Sequence, residues 1–177
     1  MSVSTPTLAF RRVTAADLPL LHGWMQRPHW RAWWGDPDEE LGQVREMVEG
    51  RDSTEPYLIE LDGAPAGYIQ MWRIADNLFE PWLTQAPWML DLPEDAVGVD
   101  LSLADGARLS RGIGTAVLTR FVADLRDRGF GTIIIDPDPA NLRAVRAYTK
   151  AGFRPVPALI GRTGDSLIMR HMEEPTQ

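Results

Sequence analysis

The chain contains no cysteine in its 177 residues. A disulfide framework, a thiolate metal site and a cysteine nucleophile are thereby excluded. No apolar run approaches the length of a membrane span, and the first residues lack the basic stretch and apolar core of a secretory signal. Histidine is scarce, and His22, His29 and His171 show no ligand spacing, so no metal site is indicated. Positive charge is also short: 18 Lys and Arg face 25 Asp and Glu, a formal charge of −7. Nucleic-acid binding rests on neutralising phosphates with Lys and Arg, which argues against such a partner. The expectation is a soluble cytoplasmic protein, with no metal, no membrane and no nucleic acid, whose acidic balance suits a cationic small molecule.

Hydrophobic residues make up 44% of the chain, enough for a sizeable core. No linker or internal repeat divides the sequence, so residues 1–177 read as a single domain. All seven Trp fall in the first half: Trp24, Trp30, Trp33, Trp34, Trp72, Trp82 and Trp88. Large aromatics usually serve a core. One helix or strand face does not bury both Trp33 and Trp34, so at least one of that pair lines a cleft or the surface.

Leu8–Val13 alternates as a strand. Thr14 before Ala15-Ala16-Asp17 signals a helix start, with Leu18, Leu21, Trp24 and Met25 at helical spacing. A second helix is expected over about 38–49. Strand-like runs at 57–61 and 66–72 flank Asp62-Gly63, a strong hairpin signal. Residues 73–95, with Pro81, Pro87 and Pro93, read as a long loop of the kind that is commonly functional. A strand at 97–103, a helix at 112–128 and an apolar strand at 132–136 follow. Asp138 and Pro139 are expected to open the next helix, which Gly152 closes. Runs at 153–160 and 166–172 make a final strand pair. The order β-α-α-β-β-β-α-β-α-β-β predicts an α/β (α+β) fold, a mixed sheet of about seven strands with about four helices on its two faces.

Arg111-Gly112-Ile113-Gly114 opens one of these helices. The glycines permit a tight turn and close approach of a ligand to backbone, and the N–H groups of Gly112, Ile113, Gly114 and Thr115 sit where a helix favours anions. A diphosphate is the natural guest, with Arg111 as a charge partner; a plain helix start is the alternative. In the following helix Asn141, Ala144 and Tyr148 lie at i, i+3 and i+7 and so share a face. Arg143, Arg146 and Lys150 form a basic stripe off that face, read as solvated.

Together the two elements resemble the acyl-coenzyme A site of the GCN5-related N-acetyltransferases (GNAT). The resemblance implies acetyl-CoA as co-substrate. Its pyrophosphate would lie at Arg111–Thr115 and its pantetheine arm beside the strand carrying Val99, Leu101 and Leu103, with Asn141 and Ala144 alongside. Tyr148 would protonate the departing thiolate, a fitting task for a phenol neutral at pH 7. The family often has Gln or Arg where this chain has Leu109, a loss that backbone contacts tolerate.

The resemblance narrows along nearly the whole chain to the aminoglycoside 6′-N-acetyltransferases, enzymes of antibiotic resistance. Trp33-Trp34-Gly35, Gly67-Tyr68 with Gln70, Gly98-Val99-Asp100 and Asp136-Pro137-Asp138-Pro139-Ala140-Asn141 carry it. It implies Asp100 as the carboxylate near the attacked amine and general base, and Asp136 as an acceptor-binding carboxylate. Trp33, Trp34 and Asp165 are further substrate-binding candidates, and Asp91, Glu94 and Asp95 in the long loop are available acids. That loop departs from the relatives in sequence, which puts the acceptor in question more than the chemistry. The rival acceptor is lysine or hydroxylysine in siderophore pathways, whose enzymes typically carry His in place of Asp100 and often lack the helix tyrosine. A non-catalytic acyl-CoA-binding module and a protein N-terminal or polyamine acetyltransferase are other readings. The sequence leaves open a monomer or a homodimer.

Overall fold

A computed structural model describes residues 6–108 and 111–173. Seven strands form a sheet in the order β1-β2-β3-β4-β5-β7-β6. They are β1 (Leu8–Arg12), β2 (Glu55–Leu61), β3 (Ala64–Arg73), β4 (Val97–Leu103), β5 (Ile133–Ile135), β6 (Phe153–Pro155) and β7 (Met169–His171). Four helices of eight residues or more are present among the described residues: α1 (Leu18–Met25), α3 (Pro37–Val48), α5 (Ile113–Asp127) and α6 (Leu142–Lys150). Two single turns, α2 (Pro28–Arg31) and α4 (Trp82–Gln85), supplement them. No helix among these residues is long and apolar enough to cross a membrane.

The chain divides into two compact units. The first runs to Gln70 and resumes at Leu101. Its β1 and β2 pair antiparallel with Phe10 opposite Ile59. Asp62 and Gly63 both take positive φ, 51° and 79°, the two-residue turn that closes β2 onto β3. Asp36 caps α3 by accepting from the N–H groups of Asp38 and Glu39. The core buries Leu21, Met25, Trp30, Val44, Leu58 and Tyr68, as the helical spacing of α1 and α3 requires. Each such side chain contributes roughly 1.5–3 kcal/mol by leaving water. The buried Trp30 indole donates to the Leu103 carbonyl at 3.1 Å, so its polar atom is satisfied inside that core. The turn α2 that delivers Trp30 was not expected from periodicity; four residues are too few for a period to show.

The second unit holds Met71–Asp100 and the chain from Arg111 onward. Here β4 and β5 pair in parallel, whereas β7 is antiparallel to both β5 and β6. The segment between β3 and β4 is less irregular than a loop: a 3-10 turn at Ala75–Asn77, then α4, then a 3-10 turn at Pro87–Asp91. Its base is closed by the Ile74 N–H donating to the Ala96 carbonyl at 2.9 Å. Ile74, Trp88, Met89, Ile134, Leu159 and Ile168 form a second core, with Trp72 and Leu92 packed against it.

Three sequence expectations need correction. The last helix starts at Leu142, not at Pro139, because Asn141 is its cap, accepting from the Ala144 N–H at 3.2 Å. Asp138 instead accepts from the Ala140 N–H within the preceding turn. The two final strands are three residues each rather than seven or eight, since Pro155 and Pro157 lack the N–H a ladder needs and a 3-10 turn takes over at Pro157–Leu159.

Candidate active site

β4 and β5 are in register only at Val97↔Ile133 and Gly98↔Ile134. Beyond those pairs β4 continues to Leu103, whereas β5 ends at Ile135. Val99 and Asp100 therefore lie past the paired stretch on one strand, and Asp136 follows the end of the other. Val99 is buried, and Asp100 and Asp136 are half-buried.

The two carboxyls share a hydrogen bond. Burial, first, and then the negative charge of Asp100 push the Asp136 carboxyl well above the ordinary carboxylate range. Trp72 Nε1 also donates to Asp100 Oδ2 at 3.1 Å. Perturbed carboxyl pairs of this kind cluster at acid–base sites.

Tyr148 on α6 completes the cluster. Burial is the main cause that raises its phenol above the usual value near 10, and the charges of Asp100 and then Asp136 add to it. The phenol is therefore within electrostatic reach of both acids and stays protonated. Asn141, Ala144 and Tyr148 are half-buried on one side of α6, while Leu142, Arg143, Arg146 and Lys150 are exposed, as the i, i+3, i+7 spacing implies. Asn141 commits its amide oxygen to the helix cap, a use the sequence reading did not foresee.

The start of α5 is a glycine turn with open space around it. Gly112 precedes the helix with φ 78°, in the left-handed region where glycine is favoured. Space around Gly112 and Gly114 is open, with no heavy atom within 4 Å of a Cβ placed on either. The first intrahelical bond runs from the Ala116 N–H to the Gly112 carbonyl, so the preceding N–H groups, through Thr115, point out of the helix end. Thr115 Oγ1 donates to the Ala147 carbonyl at 3.2 Å, which ties this end of α5 to α6 one residue before Tyr148. Arg111 is exposed beside the turn. Leu109 lies outside the described residues.

Of the acceptor candidates, Asp165 is exposed in a turn. Two residues on, the Leu167 N–H donates to the carbonyl of Pro137, next to Asp136. Asp91 is engaged by Arg162 at 3.0 Å. Trp33, Trp34, Leu101 and Leu103 belong to the other compact unit. There Trp33 is 49% exposed, while Trp34 stacks at 5.2 Å on Trp30 and edge-on at 5.8 Å to Tyr68. Trp34 is thus partly a core residue. No group of three or more His, Cys, Asp or Glu suited to a metal occurs among the described residues. Sequence reasoning assigned Trp72 no role; the missing side chain at Gly98, next to Val99-Asp100, was the signal of a large neighbour.

The raised Asp136 carboxyl has a thermodynamic consequence. Asp136 titrates higher in the folded chain than in the unfolded one, so folding gains most where the group is protonated in both states. Stability then drains as pH rises from about 4 through the folded value. Asp136→Asn keeps a donor toward Asp100 and removes that drain. Urea midpoints measured from pH 4 to pH 9 are expected to favour the variant by a margin that widens with pH; a margin constant in pH would contradict the shift.

Residues 13–159 match the family described as the acetyltransferase (GNAT) domain. An aminoglycoside N(6′)-acetyltransferase type 1 from Klebsiella pneumoniae is 34% identical over 157 residues, covering 85% of this chain and 75% of that protein. The structure of AAC(6′)-Ib in complex with ribostamycin and coenzyme A superposes with a TM-score of 0.77 at 31% identity, over 93% of each chain. A lysine N-acyltransferase from Mycobacterium tuberculosis is 28% identical over 83% of this chain and 69% of its own length. The glycine turn at the start of α5, the parting strands and the phenol influenced by two acids are therefore found in a chain that belongs to the GNAT acetyltransferases.

Proposed function

We propose that the protein transfers an acetyl group from acetyl-CoA to the 6′-amine of an aminoglycoside. The observation that carries this reading is the Asp100–Asp136 pair beside Tyr148. It offers a base and a proton donor within one small cluster, and its net negative charge suits an ammonium-bearing acceptor.

In this reading Gly112–Thr115 and Arg111 hold the pyrophosphate, and Val99, Leu101 and Leu103 flank the pantetheine arm. Asn141 and Ala144 line the same channel along α6. An ammonium has no lone pair, so Asp100 takes its proton. The freed amine attacks the thioester carbonyl, the C–N bond forms, and the C–S bond breaks. Tyr148 donates its proton to the departing sulfur and recovers one from the acylated nitrogen, which sheds its second proton as the amide forms. Asp136 and Asp165 contact ammonium groups of the acceptor, and Trp33 and Trp34 offer faces to its sugar rings.

Two kinds of support converge on the acceptor. Relatives 34% identical are named as aminoglycoside N(6′)-acetyltransferases, and solved structures of similar proteins contain ribostamycin or kanamycin with coenzyme A. The chain itself has Asp100 and Tyr148 where the lysine-acylating branch typically differs. A thiol-release assay with acetyl-CoA tests this directly: turnover is expected on kanamycin and ribostamycin, and none above background on lysine or hydroxylysine. Turnover confined to the lysine compounds would move the protein to the other branch, and coenzyme binding without turnover on any amine would make it a binding module.

A further inference from the structure

We propose that Trp72 is a positioning residue of the acid–base site, holding Asp100 ionised and aimed through its indole N–H, a role that rests on Asp100 being the base. The geometry is specific. Trp72 stands on β3 near its end, and its Nε1 donates to Asp100 Oδ2 at 3.1 Å. The ring lies across Gly98, two residues before Asp100 on β4. A Cβ there would fall 2.2 Å from the indole, so only glycine lets the ring reach the carboxylate. Trp72 also packs against the core cluster that includes Ile74, Trp88 and Met89.

That packing gives the segment between β3 and β4 a purpose. Trp88 and Met89 come from its second 3-10 turn, and the Ile74–Ala96 bond pins both of its ends together. Packing against that core and the space left at Gly98 hold the indole, whose one polar atom donates to Asp100. A ring held this way loses little entropy when it donates, and its donor serves the anion but not the protonated acid.

Trp72→Phe keeps the packing and deletes the donor. It is expected to lower kcat about tenfold and to move the acidic limb of the pH–rate profile upward by ~1 pH unit, because a carboxylate deprived of a donor binds its proton more tightly. KM for acetyl-CoA should be unchanged. A purely structural tryptophan would alter thermal stability and leave that limb where it was. A variant with wild-type kcat and an unmoved limb overturns the proposal. Should the variant not fold, the wild-type protein answers the same question without acceptor: the indole N–H resonance with through-space contact to Gly98 should shift with pH at the midpoint of the acidic transition. A resonance that does not move overturns the role. Because this titration needs no aminoglycoside, a wrong acceptor and a wrong role for Trp72 are told apart.

Discussion

Asp100→Asn is expected to lower kcat/KM for an aminoglycoside acceptor by ~10²–10⁴-fold, or about 3–5 kcal/mol of transition-state stabilisation. The amide is isosteric and still accepts from Trp72 Nε1, so packing around the site is retained. What it loses is basicity, and a bound ammonium then has nowhere to pass its proton. Coenzyme binding should survive, because the proposed diphosphate site lies in backbone at the start of α5. Isothermal titration of the variant with acetyl-CoA, set beside steady-state kinetics, separates the two quantities. A drop of less than threefold in kcat/KM would remove Asp100 from the chemistry.

The pH dependence follows from the pair rather than from one residue. Burial and the neighbouring Asp100 raise the Asp136 carboxyl, so the two acids take up protons together rather than independently. Activity is expected to fall on the acid side as the pair takes up protons. On the alkaline side Asp136 gives up its proton, and the site becomes doubly negative. That second change favours a polycation, so the acceptor itself draws the pair toward its ionised form on binding.

Much of this was legible in the sequence for physical reasons. Strand β4 was found with its observed bounds because Val97–Leu103 sits between a proline-rich segment and a glycine turn. The shared face of Asn141, Ala144 and Tyr148 follows from helical period alone. The start of α6 was misplaced because Asp138-Pro139 was read as its cap; both Asp138 and Asn141 accept an N–H, but Asp138 does so within the preceding turn and Asn141 at the helix start. The Asp100–Asp136 hydrogen bond and the Trp72 donor were invisible, since each joins residues far apart in the chain. Sequence spacing carries no information about which side chains two parting strands bring face to face. Trp34 was half legible: adjacency to Trp33 required one of the pair to be near the surface, and the fold chose Trp33.

Tyr148→Phe tests the other half of the proton traffic. The phenol is held above its ordinary range by burial and by two neighbouring acids, so it stays protonated throughout the assay range and contributes no alkaline limb of its own. Removing its hydroxyl should reduce kcat by ~10²-fold or more, with little change in KM for either substrate, because the loss falls on the departing sulfur and not on binding. The exchange conserves ring volume, and a buried phenol that merely packed would tolerate it at a cost below ~1.5 kcal/mol with no kinetic effect. Stability and kcat therefore move independently under the two explanations. A variant that unfolds at the wild-type urea midpoint but turns over ~100-fold more slowly identifies the proton donor; one with unchanged kcat leaves the leaving thiolate to be protonated by solvent, and Tyr148 to be a wall of the channel.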